Sequence, residues 1–129
     1  MNILFIGDIV GKPGRRSVQQ LVPDLCEEYA VVFVIANGEN AAGGLGATPD
    51  KVTELFKSGV HAITMGNHTW RKKELVAGID DLDRIVRPAN FPEGVPGHGF
   101  ALIPSANGHK VGLVNVLGRV YMEPFDCPF

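Results

Sequence analysis

The chain has 129 residues, of which 45% are hydrophobic and 20% charged, and its formal net charge at pH 7 is −2. This composition excludes a disordered polypeptide. Because the net charge is so small, the chain has no field of a single sign that would attract nucleic acid or an anionic membrane. No apolar run approaches the ~20 residues of a membrane span, and the first residues do not read as a signal peptide. Cys26 and Cys127 lie far apart and indicate neither a disulfide framework nor a zinc site. We therefore expect a cytoplasmic protein whose partners include no membrane and no nucleic-acid polymer.

Short apolar runs typical of strands recur along the chain. They predict strands at 2–6, 31–36, 61–65 and 84–86. The first of these strands is expected to be buried on both faces, because four of its five residues, all but Asn2, are apolar. Further on, segments 100–104 and 110–117 flank Asn107-Gly108, which predicts a hairpin.

Helical periodicity fills the intervals between the first strands. Apolar residues recur at helical spacing from Arg15 to Tyr29, and Pro23 is expected to kink or split that helix. A second helix is predicted from Thr48 to Gly59, and a third around 72–80. Strand and helix alternation of this kind predicts an α/β fold, a parallel sheet with flanking helices, formed by one domain over residues 1–129.

Polar side chains that can bind a metal or transfer a proton follow three of the predicted strands, each after a glycine (Gly7, Gly38 and Gly66). Asp8 follows the first strand, Glu39 and Asn40 follow the second, and Asn67 and His68 follow the third. Because ligands of parallel sheets bind at the carboxyl ends of the strands, these side chains are expected to share one rim. Strands are ~4.8 Å apart, so three strand ends span about 10 Å, enough for two bridged metal ions.

Each of these residues also has a purely structural interpretation. Asp8 alone is typical of a turn or a helix cap, Glu39 of a solvated loop, and Asn67 of a cap. The coincidence at three strand ends favours a functional site. Three other histidines carry no assigned role, namely His61, His98 and His109.

The glycines of this chain do not fit either of two common phosphate-binding loop motifs. The segment Gly7-Asp-Ile-Val-Gly-Lys-Pro is too short for GxxxxGK[ST], and no GxGxxG motif occurs. Asp8 and Glu39 would repel a bare phosphate, so an anionic substrate requires intervening metal cations.

Four motifs resemble one family over essentially the whole chain. They are Gly-Asp-Ile-Val-Gly-Lys-Pro-Gly-Arg (7–15), Asn-Gly-Glu-Asn-Ala-Ala-Gly-Gly-Leu-Gly (37–46), Met-Gly-Asn-His-Thr-Trp (65–70) and Arg-Pro-Ala-Asn-Phe-Pro (87–92). In this order they resemble the YmdB-like family of bacterial calcineurin-like metallophosphoesterases, which are linked to 2′,3′-cyclic nucleotide phosphodiesterase activity. The resemblance implies the N-terminal half of an αββα sandwich.

The same resemblance implies roles for individual residues. Asp8, Glu39 and Asn40 would hold the first of two metal ions, and Glu39 and Asn67 the second, with iron or manganese as the expected metals. His68 would be the proton donor. A small phosphodiester or cyclic nucleotide is then the expected substrate, hydrolysed by a hydroxide generated at the two metals. The glycine-rich loop 41–46 and residues 87–90 are candidates for shaping the pocket.

The family pattern continues with histidine motifs that these 129 residues lack. The domain is therefore expected to be incomplete at the C-terminus, and the chain alone to have weak or no activity. The alternative is a non-catalytic binding or assembly module derived from the same fold. Apolar residues near the end, such as Phe125 and Phe129, would then contact another subunit, and homo-oligomerisation is part of that alternative.

Overall fold

The computed structural model describes residues 1–129 and has a parallel four-stranded sheet at its centre. The strands lie in the order β1-β2-β3-β4, with bounds Asn2–Ile6, Val31–Asn37, Ala62–Thr64 and Ile85–Val86. All three neighbouring pairs are parallel. The predicted α/β fold class, a parallel sheet with flanking helices, is confirmed.

Three helices pack on one face of the sheet. They are α1 (Gly11–Glu28), α2 (Pro49–Lys57) and the short α3 (Lys73–Val76). Val18 of α1 and Leu55 of α2 are buried against Val34 and Ile63 of the sheet, in a core cluster of 15 residues. Each helix thus buries an apolar stripe over the strands that flank it in sequence. None of the helices combines the length and the hydropathy that crossing a membrane requires.

The opposite face of the sheet is covered by a β-hairpin. Its strands are β5 (Phe100–Pro104) and β6 (Lys110–Val114), paired antiparallel. Every second hairpin residue points inward, so Ile103, Val111 and Leu113 pack with Phe33 and Ile35 in a second cluster. The predicted turn is confirmed, and Gly108 has a positive φ of 81° that most side chains would disfavour.

Strand β1 departs from the prediction that both of its faces are buried. Ile3 and Phe5 are 43% and 58% exposed, whereas Leu4 and Ile6 pack on the helix-side core. The cause is position: β1 pairs only with β2, at one end of the sheet, and the hairpin lies over its neighbours. Ile3 and Phe5 pair with Phe33 and Ile35, so they share the hairpin-side face but extend beyond the hairpin.

Two predicted helices also have different bounds. Helix α1 begins four residues before Arg15 and runs through Pro23 without splitting. Pro23 is on the exposed side of α1, where water can satisfy the carbonyl group that loses its donor. The helix predicted around 72–80 is shorter, because α3 ends before Gly78 and only a 3₁₀ turn at Ile79–Asp81 follows.

His61, to which the sequence analysis assigned no role, precedes β3 directly, and its side chain contacts β2. Its Nδ1 accepts a hydrogen bond of 3.1 Å from the Val34 amide, and its ring stacks on Phe33 at 5.0 Å. Burial, and secondarily the charge of Arg84, lowers the pKa of His61 below its usual value of 6.5. Protonation of Nδ1 would also remove the acceptor for Val34.

The stability of the fold is therefore expected to depend on pH through His61. Because the pKa of His61 is lower in the folded state, its contribution to the free energy of unfolding is complete above pH 6.5. That contribution decreases as the pH falls toward the pKa that His61 has in the folded state. His61→Asn retains an acceptor but cannot titrate, so its urea midpoint should change less between pH 7 and pH 5 than that of the wild type. His109→Asn, in the exposed hairpin turn, is the control and should keep the wild-type profile. Equal profiles for wild type and His61→Asn would contradict this assignment.

Candidate functional site

The carboxyl ends of three neighbouring strands meet at one edge of the sheet. Ile6 of β1 pairs with Ala36 of β2, which in turn pairs with Ile63 of β3. The chain therefore leaves the three strands at the same level and enters the loops that carry the predicted site residues. This register follows from parallel pairing, which places all strand ends of one kind along one rim.

Asp8, Asn40 and His68 form a continuous hydrogen-bonded chain across this rim. The Asn40 Nδ2 group donates to both carboxylate oxygens of Asp8, at 2.9 and 3.0 Å. The other end of the same amide, Oδ1, lies 2.8 Å from His68 Nδ1. In this orientation Asn40 Oδ1 is an acceptor, so Nδ1 carries the proton. Residues separated by up to 60 positions in sequence are thereby joined through one amide.

Glu39 joins the same network from the central strand. Its Oε2 accepts a hydrogen bond of 3.0 Å from the His68 amide and lies 3.5 Å from His68 Nδ1. Its carboxylate lies directly over Gly66, where an added Cβ would come within 2.3 Å of Oε1. Only glycine at position 66 leaves space for this carboxylate.

We expect Gly66→Ala to weaken divalent-cation binding by displacing Glu39. A methyl group at position 66 would overlap the carboxylate, so Glu39 must leave its position above the end of β3. Titration with Mn²⁺, followed by electron paramagnetic resonance, should show affinity reduced about tenfold, the lower end of the usual effect of losing a supporting contact at a metal site. Gly78→Ala, where an added Cβ meets no atom within 4 Å, is the control and should bind as the wild type does. Unchanged affinity in Gly66→Ala would contradict a role for Glu39.

Asn67 stands apart from the other four predicted residues. Its side chain is exposed and forms no hydrogen bond, although its neighbour His68 belongs to the network. The structure thus brings together Asp8, Glu39, Asn40 and His68, and leaves the Asn67 amide free at the rim.

A cavity of about 510 Å³ opens beside the two carboxylates. Its polar wall combines Asp8 and Glu39 with three residues that sequence reasoning missed: Asn37, Thr64 and Asn115. Asn37 belongs to the motif 37–46 but carried no predicted role, and Thr64 lies inside a predicted strand. Asn115 comes from the chain that follows β6, which nothing local links to the rim. The remaining lining is mainly apolar and includes Phe5, Leu113, Val114 and Val116. A larger cavity, of about 630 Å³, lies beside His61 and Arg84 and contains none of the predicted site residues.

The donor atoms at the rim fit part of a metal centre. Two carboxylates and two amides offer oxygen ligands, which hard divalent cations prefer. Asn40 lies between Asp8 and His68. If its side-chain amide rotates by half a turn, Oδ1 takes the place of Nδ2 beside the Asp8 carboxylate. No group of three or more His, Cys, Asp and Glu residues in the chain could hold a metal ion, and no second imidazole reaches the rim. The set is therefore suited to weak cation binding and lacks the nitrogen ligands that transition metals favour.

The glycine-rich loop beside the rim is held by a buried arginine. Arg15 Nη1 donates to the Ala41 carbonyl at 2.5 Å, while its Nε lies 3.0 Å from Glu54 Oε2. Within the loop, the Gly46 amide donates to the carbonyl of Glu39 at 2.6 Å. The backbone after Asn40 is thus held by Arg15 of α1, which Glu54 of α2 pairs with, and the backbone before Asn40 is held by the loop itself. The sequence did not reveal this arrangement.

The sequence of this chain matches one known protein family over almost its whole length. The family model described as YmdB-like protein matches residues 4–129. A curated relative, the 2′,3′-cyclic-nucleotide 2′-phosphodiesterase of Bacillus subtilis (strain 168), is 53% identical over 129 residues; the match covers 100% of this chain and 48% of the relative. The chain therefore belongs to the YmdB-like family, whose curated members are named as phosphodiesterases or phosphatases.

Solved structures show the same fold at similar coverage. A hypothetical protein from Thermus thermophilus superposes with a TM-score of 0.90 at 41% identity, covering 99% of this chain and 49% of that chain. A novel phosphatase from Mycoplasma pneumoniae superposes with a TM-score of 0.88 at 31% identity, covering 98% and 47%. The chain spans about half the length of the curated relatives and solved structures that it matches.

Proposed function

We propose that this chain contributes the rim of a metal-dependent phosphodiesterase site for small phosphodiesters such as 2′,3′-cyclic nucleotides. The observation that carries the proposal is the network of Asp8, Asn40, His68 and Glu39 at three adjacent strand ends. The name of the Bacillus subtilis relative, which is 53% identical, supports the substrate class. Such a network is more than turn capping, because it joins four polar groups, and two of them, Asp8 and Glu39, line a cavity large enough for a small ligand.

In this proposal Asp8, Glu39, Asn40 and Asn67 hold divalent cations, with iron or manganese as the candidates. Bound cations acidify water and neutralise the charge that develops on the phosphoryl oxygens. Asp8 and Glu39 supply the negative charge, and Asn40 and Asn67 supply neutral oxygens. Glu39, which follows the strand between the other two, would contribute its carboxylate from the centre of the rim. Without cations, the two carboxylates would repel an anionic substrate.

His68 is the proposed proton donor to the departing ribose oxygen. In the present orientation of Asn40, the proton of a neutral His68 ring is on Nδ1, which leaves Nε2 without one. The donor would therefore be the doubly protonated ring, whose Nδ1–H stays on Asn40 Oδ1 and whose Nε2–H faces away from Asn40. Transfer of the Nε2 proton to the departing ribose oxygen would return the ring to its neutral form, with Asn40 holding the ring in place.

The chain by itself is expected to bind metal weakly and to hydrolyse little, because its donor set is confined to oxygen atoms. The decisive experiment incubates the 129-residue chain with Mn²⁺ and either 2′,3′-cyclic AMP or bis-p-nitrophenyl phosphate. We expect slow hydrolysis that disappears with EDTA. Hydrolysis that persists in EDTA, or the absence of both Mn²⁺ binding and turnover, would contradict the proposal. Turnover as fast as that of an intact two-metal phosphodiesterase would contradict the expected weakness of the chain.

One observation favours the assembly module as a second candidate function. Large apolar side chains are exposed around the hairpin and β1, among them Phe5, Phe100, Leu102 and Val114. Such a surface is typical of contact with another polypeptide. Under this alternative the chain forms a complex whose stability does not depend on Asp8, and self-association on this surface would make it a homo-oligomer.

A further inference from the structure

The motif at 87–92 contains a buried asparagine with all of its hydrogen-bonding groups used. Asn90 is only 7% exposed. Its Nδ2 donates to the carbonyl groups of Leu117 and Asp126 at 3.0 and 2.9 Å, and its Oδ1 accepts from the Leu117 amide at 2.8 Å. The Asn90 side chain therefore forms with the Leu117 backbone the pair of hydrogen bonds that a neighbouring strand would form. It also holds Asp126, nine residues further along the chain.

The segment tied by Asn90 forms a wall of the cavity beside Asp8 and Glu39. We call residues 115–117 the wall segment; Asn115 and Val116 line the cavity, and Leu117 is the residue that Asn90 holds. At its other end, the Asn115 carbonyl accepts from the Ala89 amide at 2.7 Å, and Asn115 Nδ2 donates to the Met65 carbonyl at 2.5 Å. The wall segment thus has no strand partner of its own and depends on the 87–92 motif and on the end of β3.

The same motif also contacts the turn that carries His68. Phe91, which is buried beside Asn90, packs against Trp70 with ring centroids 4.5 Å apart. Trp70 lies two residues after His68, within a turn closed by the Arg71 amide on the His68 carbonyl. The motif therefore links the wall segment to the proposed proton donor.

We propose that Asn90 is a positioning residue of the phosphodiester site, which fixes the wall segment at the separation from Asp8 and Glu39 that a small substrate requires. This inference rests on the proposed function. Asn90 does not line the cavity, so it acts through its hydrogen bonds to Leu117. Its loss should weaken substrate binding and leave cation binding unchanged.

The test compares Asn90→Ala and Asn90→Asp with a matched control. The control is Asn2→Ala, which removes a similar amide-to-carbonyl bond, from Asn2 Nδ2 to Tyr29, at the opposite end of the sheet. Hydrogen exchange monitors the Leu117 amide, and calorimetry measures binding of Mn²⁺ and then of 2′,3′-cyclic AMP to the Mn²⁺-loaded chain. For both Asn90 variants at neutral pH we expect faster exchange at Leu117, unchanged Mn²⁺ affinity and about tenfold weaker nucleotide binding.

Asn90→Asp adds a pH readout that general destabilisation would not produce. The introduced carboxylate would face two carbonyl oxygens, whereas its protonated form can donate to one of them. Protection of Leu117 in this variant should therefore recover partly as the pH is lowered, which also keeps the test decisive if Asn90→Ala fails to fold.

Three outcomes would overturn the inference. Nucleotide affinity in the Asn90 variants equal to that of Asn2→Ala, with or without faster exchange, would reduce Asn90 to a purely structural role and leave the proposed function intact. The absence of any pH-dependent recovery in Asn90→Asp would contradict the hydrogen-bonding account. A wild-type chain that binds neither Mn²⁺ nor the nucleotide would remove the proposed function, and this inference with it.

Discussion

Asp8→Ala is expected to lower the affinity of the chain for Mn²⁺ by more than about 100-fold, since loss of a mere supporting contact at a metal site costs roughly 10–100-fold. Asp8 is one of two carboxylates at the rim, and it also holds the Asn40 amide through two hydrogen bonds. In the proposed site, removing Asp8 takes away one charged ligand and frees the orientation of Asn40, the second proposed ligand. Calorimetry or paramagnetic resonance would measure the loss.

The matched control for this substitution is Asp24→Ala, on the exposed surface of α1. It removes the same charge far from the rim and should leave Mn²⁺ affinity as it is. A similar loss in both variants would mean that net charge rather than a defined site governs cation binding. The experiment also separates the two candidate functions, because an assembly module should keep its self-association in Asp8→Ala.

His68→Ala should reduce hydrolysis of 2′,3′-cyclic AMP by roughly 10²–10⁴-fold, the usual contribution of a general acid. The ribose oxygen needs a proton as it departs, whereas p-nitrophenolate is a stable anion that leaves without one. The loss should therefore be much smaller with bis-p-nitrophenyl phosphate. Turnover numbers for the two substrates, measured at saturating Mn²⁺, give the comparison.

His109→Ala is the control for this prediction, because His109 lies in the exposed hairpin turn. It should hydrolyse both substrates as the wild type does. Equal losses on both substrates in His68→Ala, together with weaker Mn²⁺ binding, would indicate that His68 supports the cation site and does not transfer a proton.

The sequence predicted the parallel sheet and its rim because both depend on local signals. Apolar runs of strand length are each followed by a glycine and then by Asp8, Glu39 or Asn67, and parallel pairing then determines that the ends meet. The burial of β1 could not be predicted in the same way. Whether Phe5 is covered depends on which element lies over the edge of the sheet, and that is decided by contacts distant in sequence.

Four of the five predicted rim residues form one hydrogen-bonded network, but the cavity beside them required the structure. Asn115 reaches the rim only because the hairpin folds back across the sheet, and Asn90 matters only through Leu117, 27 residues away. Neither residue has a local pattern that indicates its role. The roles of Asp8, Glu39, Asn40, Asn67 and His68 in holding metal and moving protons remain predictions that the experiments above address.

The free side of β1 has a practical consequence for handling the protein. Strand β1 pairs with β2 alone, so its outer backbone amides and carbonyls remain available beside the uncovered Ile3 and Phe5. Another copy of this chain can pair a strand with this edge through the same backbone hydrogen bonds that join β1 to β2. Concentrated preparations of this chain should therefore form oligomers or aggregate. Ile3→Lys would be a rational way to keep the polypeptide monomeric for the binding measurements, because Ile3, unlike Phe5, does not line the cavity beside Asp8 and Glu39.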